Sequence, residues 1–249
     1  GEKLSADVLY SADYSKIRSS NDFISHHTLG DKVYDISQYN TGNRQRLTHN
    51  MRASIDYRIT DGDNLSVAYT SAISPNSKST ENSNGTLSES SNIRTGDEQM
   101  HNFSADYTSG WGTNVGMDYT YYAYPSVQNF TDKSSRKEQK FILNSSQYVN
   151  RWNIYAGQTH ALPKEWSVNY GINFSFANEK SLQKYTPADG TDMSDMNSSS
   201  NLEEKTYNFY GGFEKSFNEK LSLSMSLAGE FYRLADYTDW SVYPTMQLS

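Results

Sequence analysis

Two groups of side chains in this sequence could bind a metal ion. His26 and His27 are adjacent in a polar stretch, and neutral imidazole is a common metal ligand. Asp189, Asp192 and Asp195 lie in DGTDMSD, where carboxylates could hold calcium, although their spacing matches no EF-hand loop. Solvated imidazoles and a polar loop explain the same residues. No metal site or cofactor is therefore predicted, and a metal in the loop 189–195 stays open.

Paired carboxylates could act as a general acid and a general base. Asp56 and Asp118 are such candidates, but they fall on different predicted hairpins and are interpreted as residues that set the charge of a polar surface. The tetrad Asp61-Gly62-Asp63-Asn64 has the composition of a tight turn. No GxSxG, HExxH or phosphate-binding loop occurs in the sequence. The sequence therefore predicts no catalytic residue and no enzyme.

Composition limits the elements that could position these residues. Only 35% of the 249 residues are apolar and the mean hydropathy is -0.81, whereas 14% are aromatic. Cysteine is absent, which excludes disulfides. The net charge of -7 without a long basic block argues against nucleic acid as a partner. No apolar run approaches the roughly 18 residues of a membrane-spanning helix, so a membrane role would require strands.

Alternation of apolar and polar residues runs through most of the chain. In 166–176 the even-numbered positions are apolar or aromatic and the odd-numbered ones are small or polar, which is the period of a strand with two different faces. The pattern predicts ten strands near 3–17, 47–60, 64–74, 100–109, 113–125, 140–161, 166–179, 205–217, 221–235 and 242–249. In the sixth, Phe141 and Leu143 fall out of phase with Trp152, and a bulge near Asn150 and Arg151 is predicted to restore the register.

The predicted links are of two kinds. Short links rich in Gly, Asn, Asp and Pro are predicted at 61–64, 109–112, 163–165 and 218–220. Long polar stretches near 18–46, 75–99, 126–139, 180–204 and 236–241 are predicted as loops. Strict alternation of short and long links would place all the loops at one end of the sheet. This arrangement is typical of outer-membrane barrels.

The apolar stripes could face lipid or a protein core, because lipocalin-like barrels and sandwiches also alternate. The predicted strands exceed typical sandwich strands in length, and the charged members of the cleanest stripes, Lys215 and Arg233, lie near strand ends. We therefore predict an all-β, antiparallel up-and-down transmembrane β-barrel of about ten strands, forming part of a larger barrel. The residues predicted to face lipid are Val168, Tyr170, Ile172, Leu223, Met225 and Leu227. The residues predicted to face the lumen are Arg52, Asp56, Arg58, Asp118 and Glu230.

Aromatic residues in the predicted outer loops are candidate ligand contacts. They could stack on a sugar, and packing within a loop is the alternative use of such side chains. The candidates are Phe23, Tyr34, Tyr39 and Phe130.

The segment NFYGGFEKSFNEKLSLSMSLAGEFYRLADYTDWSVYPTMQLS, residues 208–249, resembles the barrel of the Bacteroidetes outer-membrane proteins grouped with TonB-dependent receptors. Gly211-Gly212-Phe213, the turn at 218–221, Ala228-Gly229 and Tyr243-Pro244 follow the order of that family. Glu230 and Thr245 depart from it. The resemblance implies a 22-stranded transporter with a plug and an energy-coupling protein. It implies that residues 1–249 form one barrel segment without the plug. The first residues, GEKLSADV, contain no charged-then-apolar leader, so no signal peptide is predicted within the sequence.

Three functions remain open from the sequence. The first is a segment of a TonB-dependent-type receptor in the bacterial outer membrane, with loops that bind a ligand and a polar lumen that passes it. The second is a small self-closed outer-membrane barrel with a structural or adhesive role. The third is a soluble secreted β-protein that binds glycans.

Overall fold

The computed structural model describes residues 3–134, 137–218 and 221–248. They form a single antiparallel sheet of ten strands in which each strand pairs with its neighbours in the chain. A short 3-10 helix, Ser194–Met196, precedes the eighth strand. The all-β, antiparallel up-and-down class predicted from the sequence is confirmed. The strands are β1 Leu4–Leu29, β2 Lys32–Arg58, β3 Asn64–Gly85, β4 Ser88–Thr108, β5 Thr113–Ser134, β6 Glu138–Leu162, β7 Trp166–Pro187, β8 Ser198–Asn218, β9 Leu221–Leu234 and β10 Tyr237–Leu248.

The strands are much longer than the alternation predicted. Most of the stretches predicted as loops are strand extensions, and β1 joins β2 through Gly30 and Asp31 alone. The strict alternation of short and long links is therefore wrong, and the segment 188–197 is the longest described link. The extensions are mostly polar on both faces, with scattered apolar residues, so they give no regular alternation signal, although their backbone groups still form ladder hydrogen bonds.

The predicted bulge in β6 is absent. β6 pairs with β7 without interruption from Phe141 to Leu162, and Phe141 and Leu143 lie on the face opposite Trp152. The composition of each face changes along the strand, while the register does not. The extra residue lies instead in β3, where both neighbours shift register around Asn76, whose φ is 51°. A second irregularity separates Ser216 from Asn218 in β8.

The sheet is a single layer with almost no core. In the described part of the chain, Ala123 is the one buried hydrophobic residue. Many large apolar side chains are exposed; Ile172 is 52% exposed and Leu227 is 55% exposed. The apolar stripes therefore do not face one another across a dry interior, as they would in a sandwich or a lipocalin-like barrel.

The sheet has two unpaired edges. Within the described residues, β1 pairs with β2 alone and β10 pairs with β9 alone.

At the opposite end from the β1–β2 hairpin, the short turns 59–63, 109–112 and 163–165 lie where the sequence predicts tight links. The predicted link at 218–220 includes Glu219 and Lys220, which lie outside the described residues. The described helix is too short to cross a membrane.

Candidate functional site

The strand register divides the sheet into two chemically different faces. Residues directly opposite on neighbouring strands share a face, and successive residues in a strand alternate between faces. One row across the strands is apolar: Ile55, Val67, Ala105, Met117, Ile154, Phe174, Tyr207, Phe231 and Trp240. The adjacent row on the other side is polar: Asp56, Ser66, Asp106, Gly116, Tyr155, Asn173, Asn208, Glu230 and Ser241. We call these sides the apolar face and the polar face.

The register sorts the predicted wall residues without exception. Those predicted to face lipid all lie on the apolar face: Val168, Tyr170, Ile172, Leu223, Met225 and Leu227. Those predicted to face a lumen all lie on the polar face: Arg52, Asp56, Arg58, Asp118 and Glu230. Because the two sets never mix, the period of two predicted the face of every one of these residues.

Three of the histidines make hydrogen bonds with tyrosines on the apolar face. Tyr10 Oη lies 2.7 Å from His49 Nδ1, and Tyr69 Oη lies 2.7 Å from His101 Nδ1. The third pair, His160 Nε2 and Tyr170 Oη at 3.2 Å, lies near the short turns. The first two pairs lie on the side of the β1–β2 hairpin, and the third lies on the side of the short turns. We call the apolar part of this face, between these pairs, the apolar band.

His26 and His27 do not form a metal pair. They are successive residues of β1 and so point to opposite faces of the sheet. His26 Nδ1 contacts Asp35 Oδ1 at 2.5 Å, and His27 Nε2 contacts Ser25 Oγ at 2.7 Å. Each imidazole is thus held by a neighbour on its own side.

The acidic loop 189–195 uses its carboxylates to build turns. Asp189 Oδ1 accepts a hydrogen bond from the Thr191 backbone N–H at 3.0 Å, and Asp192 Oδ1 accepts one from Ser194 at 2.9 Å. Hydrogen bonds from Thr191 lower the pKa of Asp189, and those from Ser194 lower the pKa of Asp192. No group of three or more potential metal ligands occurs among the residues that the structure describes. The loop is therefore explained by turn chemistry.

Acidification should open the Asp192 turn only at low pH. A lowered carboxyl pKa means that the turn keeps its full stability above the ordinary value of 3.8 and loses it as the pH falls through the lowered pKa. We expect the Ser194 amide resonance to titrate with a midpoint below 3.8. Asp192→Asn, which can form the same turn but cannot ionise, should abolish this titration. A midpoint at or above the ordinary value would contradict the assignment.

A cluster of arginines lies on the polar face, beyond the apolar band and toward the β1–β2 hairpin. This arginine cluster comprises Arg44, Arg46 and Arg94 with Glu98 and Tyr124, and it lines a shallow groove of about 220 Å³. The Arg46 guanidinium lies 3.0 Å from the Glu98 carboxylate. Arg94 lies with its guanidinium carbon 4.8 Å from the centre of the Tyr124 ring. Of the three guanidinium groups, that of Arg46 alone forms an ion pair with this carboxylate within the described residues.

Hydroxyl groups fix two of these arginines in place. Arg46 Nε donates to Ser74 Oγ at 2.9 Å, and Ser74 is almost fully buried. Arg94 Nη2 donates to Ser126 Oγ at 3.2 Å. The exposed Arg44 makes no hydrogen bond or ion pair within the described residues. The cluster thus contains a free cationic group beside two positioned ones.

An aromatic ladder lies one row beyond the arginine cluster on the same face. The ring centres of Phe130 and Phe141 are 4.8 Å apart, and those of Phe141 and Tyr185 are 5.6 Å apart. Asn92 is the partner of Phe130 on β4, and its buried side-chain oxygen has no hydrogen-bond partner. The ladder therefore combines the flat faces of three aromatic rings with a buried side-chain oxygen of Asn92 that has no hydrogen-bond partner.

The predicted ligand aromatics lie on strands, so their placement in outer loops is wrong. Phe23 and Tyr34 project from the polar face of the β1–β2 hairpin, and Tyr39 projects from the opposite side. Phe130 alone belongs to the aromatic ladder. The sequence did not group Phe141 and Tyr185 with Phe130, although the phase change of Phe141 was a usable signal of its face.

Comparison with known proteins gives only distant structural similarity. No family model and no curated protein matches the chain. The translocator domain of the autotransporter NalP from Neisseria meningitidis is 11% identical, with a TM-score of 0.31, over 100% of this chain and 75% of that one. The CymD monoaromatic hydrocarbon channel is 8% identical, with a TM-score of 0.23, over 99% of this chain and 88% of that one. These similarities assign no function to this chain.

Proposed function

We propose that this chain forms the wall of a bacterial outer-membrane β-barrel, with lipid against the apolar face and water against the polar face. The observation that supports this function is a continuous apolar band across ten strands of a single-layer sheet. A contiguous exposed apolar surface of this extent is typical of a membrane or partner interface. A tilted strand needs about 9 to 11 residues to cross lipid, and every strand of this sheet is long enough.

The distribution of charge favours lipid over a protein partner. From Trp166 to Phe176 in β7, no residue of the apolar face is charged. Two lysines of this face, Lys215 and Lys205, lie at the borders of its apolar part and over aromatic rings. The Lys215 ammonium is 5.5 Å from the centre of the Trp166 ring, and that of Lys205 is 5.5 Å from the Phe176 ring. Long basic side chains at a membrane border reach the headgroups with their charge while their stems remain in the apolar layer.

Tyrosine and histidine complete the two borders. The pairs Tyr10–His49 and Tyr69–His101 lie at the border toward the β1–β2 hairpin, and the pair His160–Tyr170 lies at the border near the short turns. Amphipathic rings are enriched at the level of lipid headgroups, where one end is apolar and the other is hydrated. These tyrosine and histidine rings at the two borders therefore support lipid as the partner of the apolar face.

The specific function proposed is that of a TonB-dependent-type receptor, whose polar lumen passes a ligand. In lipid every strand edge needs a partner, and the open edges β1 and β10 could pair with further strands of a larger barrel. The family resemblance in 208–249 supports this assignment, with a plug and an energy-coupling protein as proposed partners. A self-closed ten-strand barrel is the second candidate, because an even strand number lets β1 and β10 pair antiparallel.

Cysteine labelling tests the assignment of the two faces. The chain contains no cysteine, so single substitutions in β7 give labelling without background. In outer-membrane vesicles, Val168→Cys and Ile172→Cys should react with a lipid-soluble maleimide and resist a charged one. The matched variants Asn169→Cys and Asn173→Cys should react with the charged reagent. Equal labelling of neighbouring positions, or a protein that stays in solution without detergent, would overturn the membrane assignment.

A further inference from the structure

We propose that the groove at the arginine cluster binds the phosphate group of a soluble ligand, either inorganic phosphate or a phosphate monoester. The inference deepens the proposed function by naming the chemistry of a ligand. It also rests on that function, because the polar face must line water for a ligand to reach the groove. Lipid headgroups would meet the borders of the opposite face, so the ligand is a soluble molecule.

The two positioned arginines keep guanidinium donors unused. Arg46 uses Nε and Nη2 to reach Ser74 and Glu98. Arg94 uses the same two nitrogens for one hydroxyl, that of Ser126. The Nη1 groups of both arginines make no hydrogen bond or ion pair within the described residues. Because a guanidinium carries five N–H donors and Ser74 and Ser126 are buried, these donors are held in place at the groove and still need an acceptor.

A third guanidinium faces them across a single strand. Arg44 of β2 and Arg94 of β4 both pair with Ser79 of β3, which places the two arginines on the same face. Neighbouring strands are about 4.8 Å apart, so the two Cα atoms are separated by about 10 Å. Arg44 is exposed and has no hydrogen bond or ion pair within the described residues. Guanidinium groups at that spacing can bond one phosphate from two sides.

The bulge in β3 gives the groove a floor of small residues. Asn76 is the extra residue, and beyond it β3 is shifted by one position relative to both neighbours. Without this shift, Lys78 would be the residue between Arg44 and Arg94. With the shift, Ser79 lies there and Lys78 lies on the opposite face. A lysine between the arginines would fill the space and repel them, so the bulge keeps the groove open for a ligand.

The charge balance favours a ligand with more than one negative charge. The residues that line the groove include three arginines and one carboxylate, that of Glu98, which is paired with Arg46 at 3.0 Å. Two guanidinium groups therefore remain uncompensated in a chain whose net charge is -7. A phosphate group carries about 1.5 to 2 negative charges at neutral pH and offers acceptor oxygens in several directions. Carboxylate and chloride ions carry a single charge and match the groove less well.

Isothermal titration of the detergent-refolded full chain with inorganic phosphate tests the site. At low ionic strength the wild type should bind phosphate about tenfold more tightly than acetate or chloride, because charge-assisted bonds to several donors add up. Methyl phosphate separates the two sources of the group. A monoester ligand requires that methyl phosphate bind at least as tightly as inorganic phosphate, whereas tighter binding of inorganic phosphate identifies the free ion.

Two substitutions should change phosphate affinity in opposite directions. Arg44→Gln should weaken binding about tenfold, because it removes bonds to a charged ligand without disturbing another side chain. Glu98→Gln should tighten binding about threefold or more, because it removes the negative charge that borders the groove. A purely structural role of the cluster would leave phosphate affinity unchanged in both variants and would contradict the proposal.

Arg18→Gln is the matched control for the loss of one positive charge. Arg18 pairs with Asn43, the neighbour of Arg44, and lies on the opposite face. Its phosphate affinity should stay within about twofold of the wild type, because solvent and salt screen charges that do not face the groove. Heat-modifiable gel mobility should show that every variant is folded.

Three results would overturn the phosphate site: no phosphate binding by the wild type, equal affinity for phosphate and chloride, or an equal loss in the Arg18 and Arg44 variants. The cysteine pattern in β7 would be unaffected by any of them. Failure of the cysteine pattern, in contrast, would overturn the proposed function itself.

Discussion

Ile172→Arg is expected to lower the free energy of unfolding in a lipid bilayer by about 2 to 4 kcal/mol. Ile172 lies near the middle of the β7 apolar stripe, is 52% exposed, and pairs with Phe209 on β8. A guanidinium at this depth would have to lie in hydrocarbon or distort the bilayer to reach water. Urea titration in lipid vesicles, followed by tryptophan fluorescence, measures the change.

The matched substitution is Asn173→Arg, one residue along the same strand and on the polar face. There the charge would meet water and polar neighbours such as Asn208, so the change in unfolding free energy should stay within about 0.5 kcal/mol. The comparison holds strand, charge and side-chain size constant. Equal losses in the two variants would mean that the faces do not meet different solvents.

Gly112→Ala is expected to destabilise the protein by about 3 kcal/mol or more. Gly112 has a φ of +91°, and a Cβ at this position would lie 2.0 Å from the Thr159 carbonyl oxygen. Its own carbonyl accepts a hydrogen bond from the Thr159 N–H at 2.9 Å, which ties the β4–β5 turn to β6. Relief of the overlap would therefore separate the turn from its neighbour. The same urea titration measures the loss.

Gly30→Ala separates backbone strain from steric overlap. Gly30 also has a positive φ, +62°, but no atom lies within 4 Å of a Cβ built there. Only the left-handed backbone penalty of about 1 to 2 kcal/mol applies at this hairpin tip. If Gly112→Ala were no more harmful than Gly30→Ala, the contact between the turn and β6 would not contribute to stability.

The sequence by itself determined the fold class and the two faces. A strand between unlike solvents must place unlike residues on its two sides, and a period of two records this directly in β7 and β9. The short turns at 109–112 and 163–165 were likewise readable, because tight reversals require Gly, Pro, Asn or Asp. Both signals are local, because the type of each residue depends on the solvent or the backbone conformation at its own position.

Only the tertiary structure decided how far the strands extend and which residues meet. Where apolar residues are scattered over both faces among many polar ones, regular alternation disappears, and the extensions of β1 and β2 looked like loops. The candidate site depends on register as well: Arg44 and Arg94 are 50 positions apart in the sequence and share a row only because Ser79 lies between them. Alternation specifies the face of a residue but not its partner on the next strand. Partners are set by turn lengths and by the bulge in β3, which act on whole strands at once.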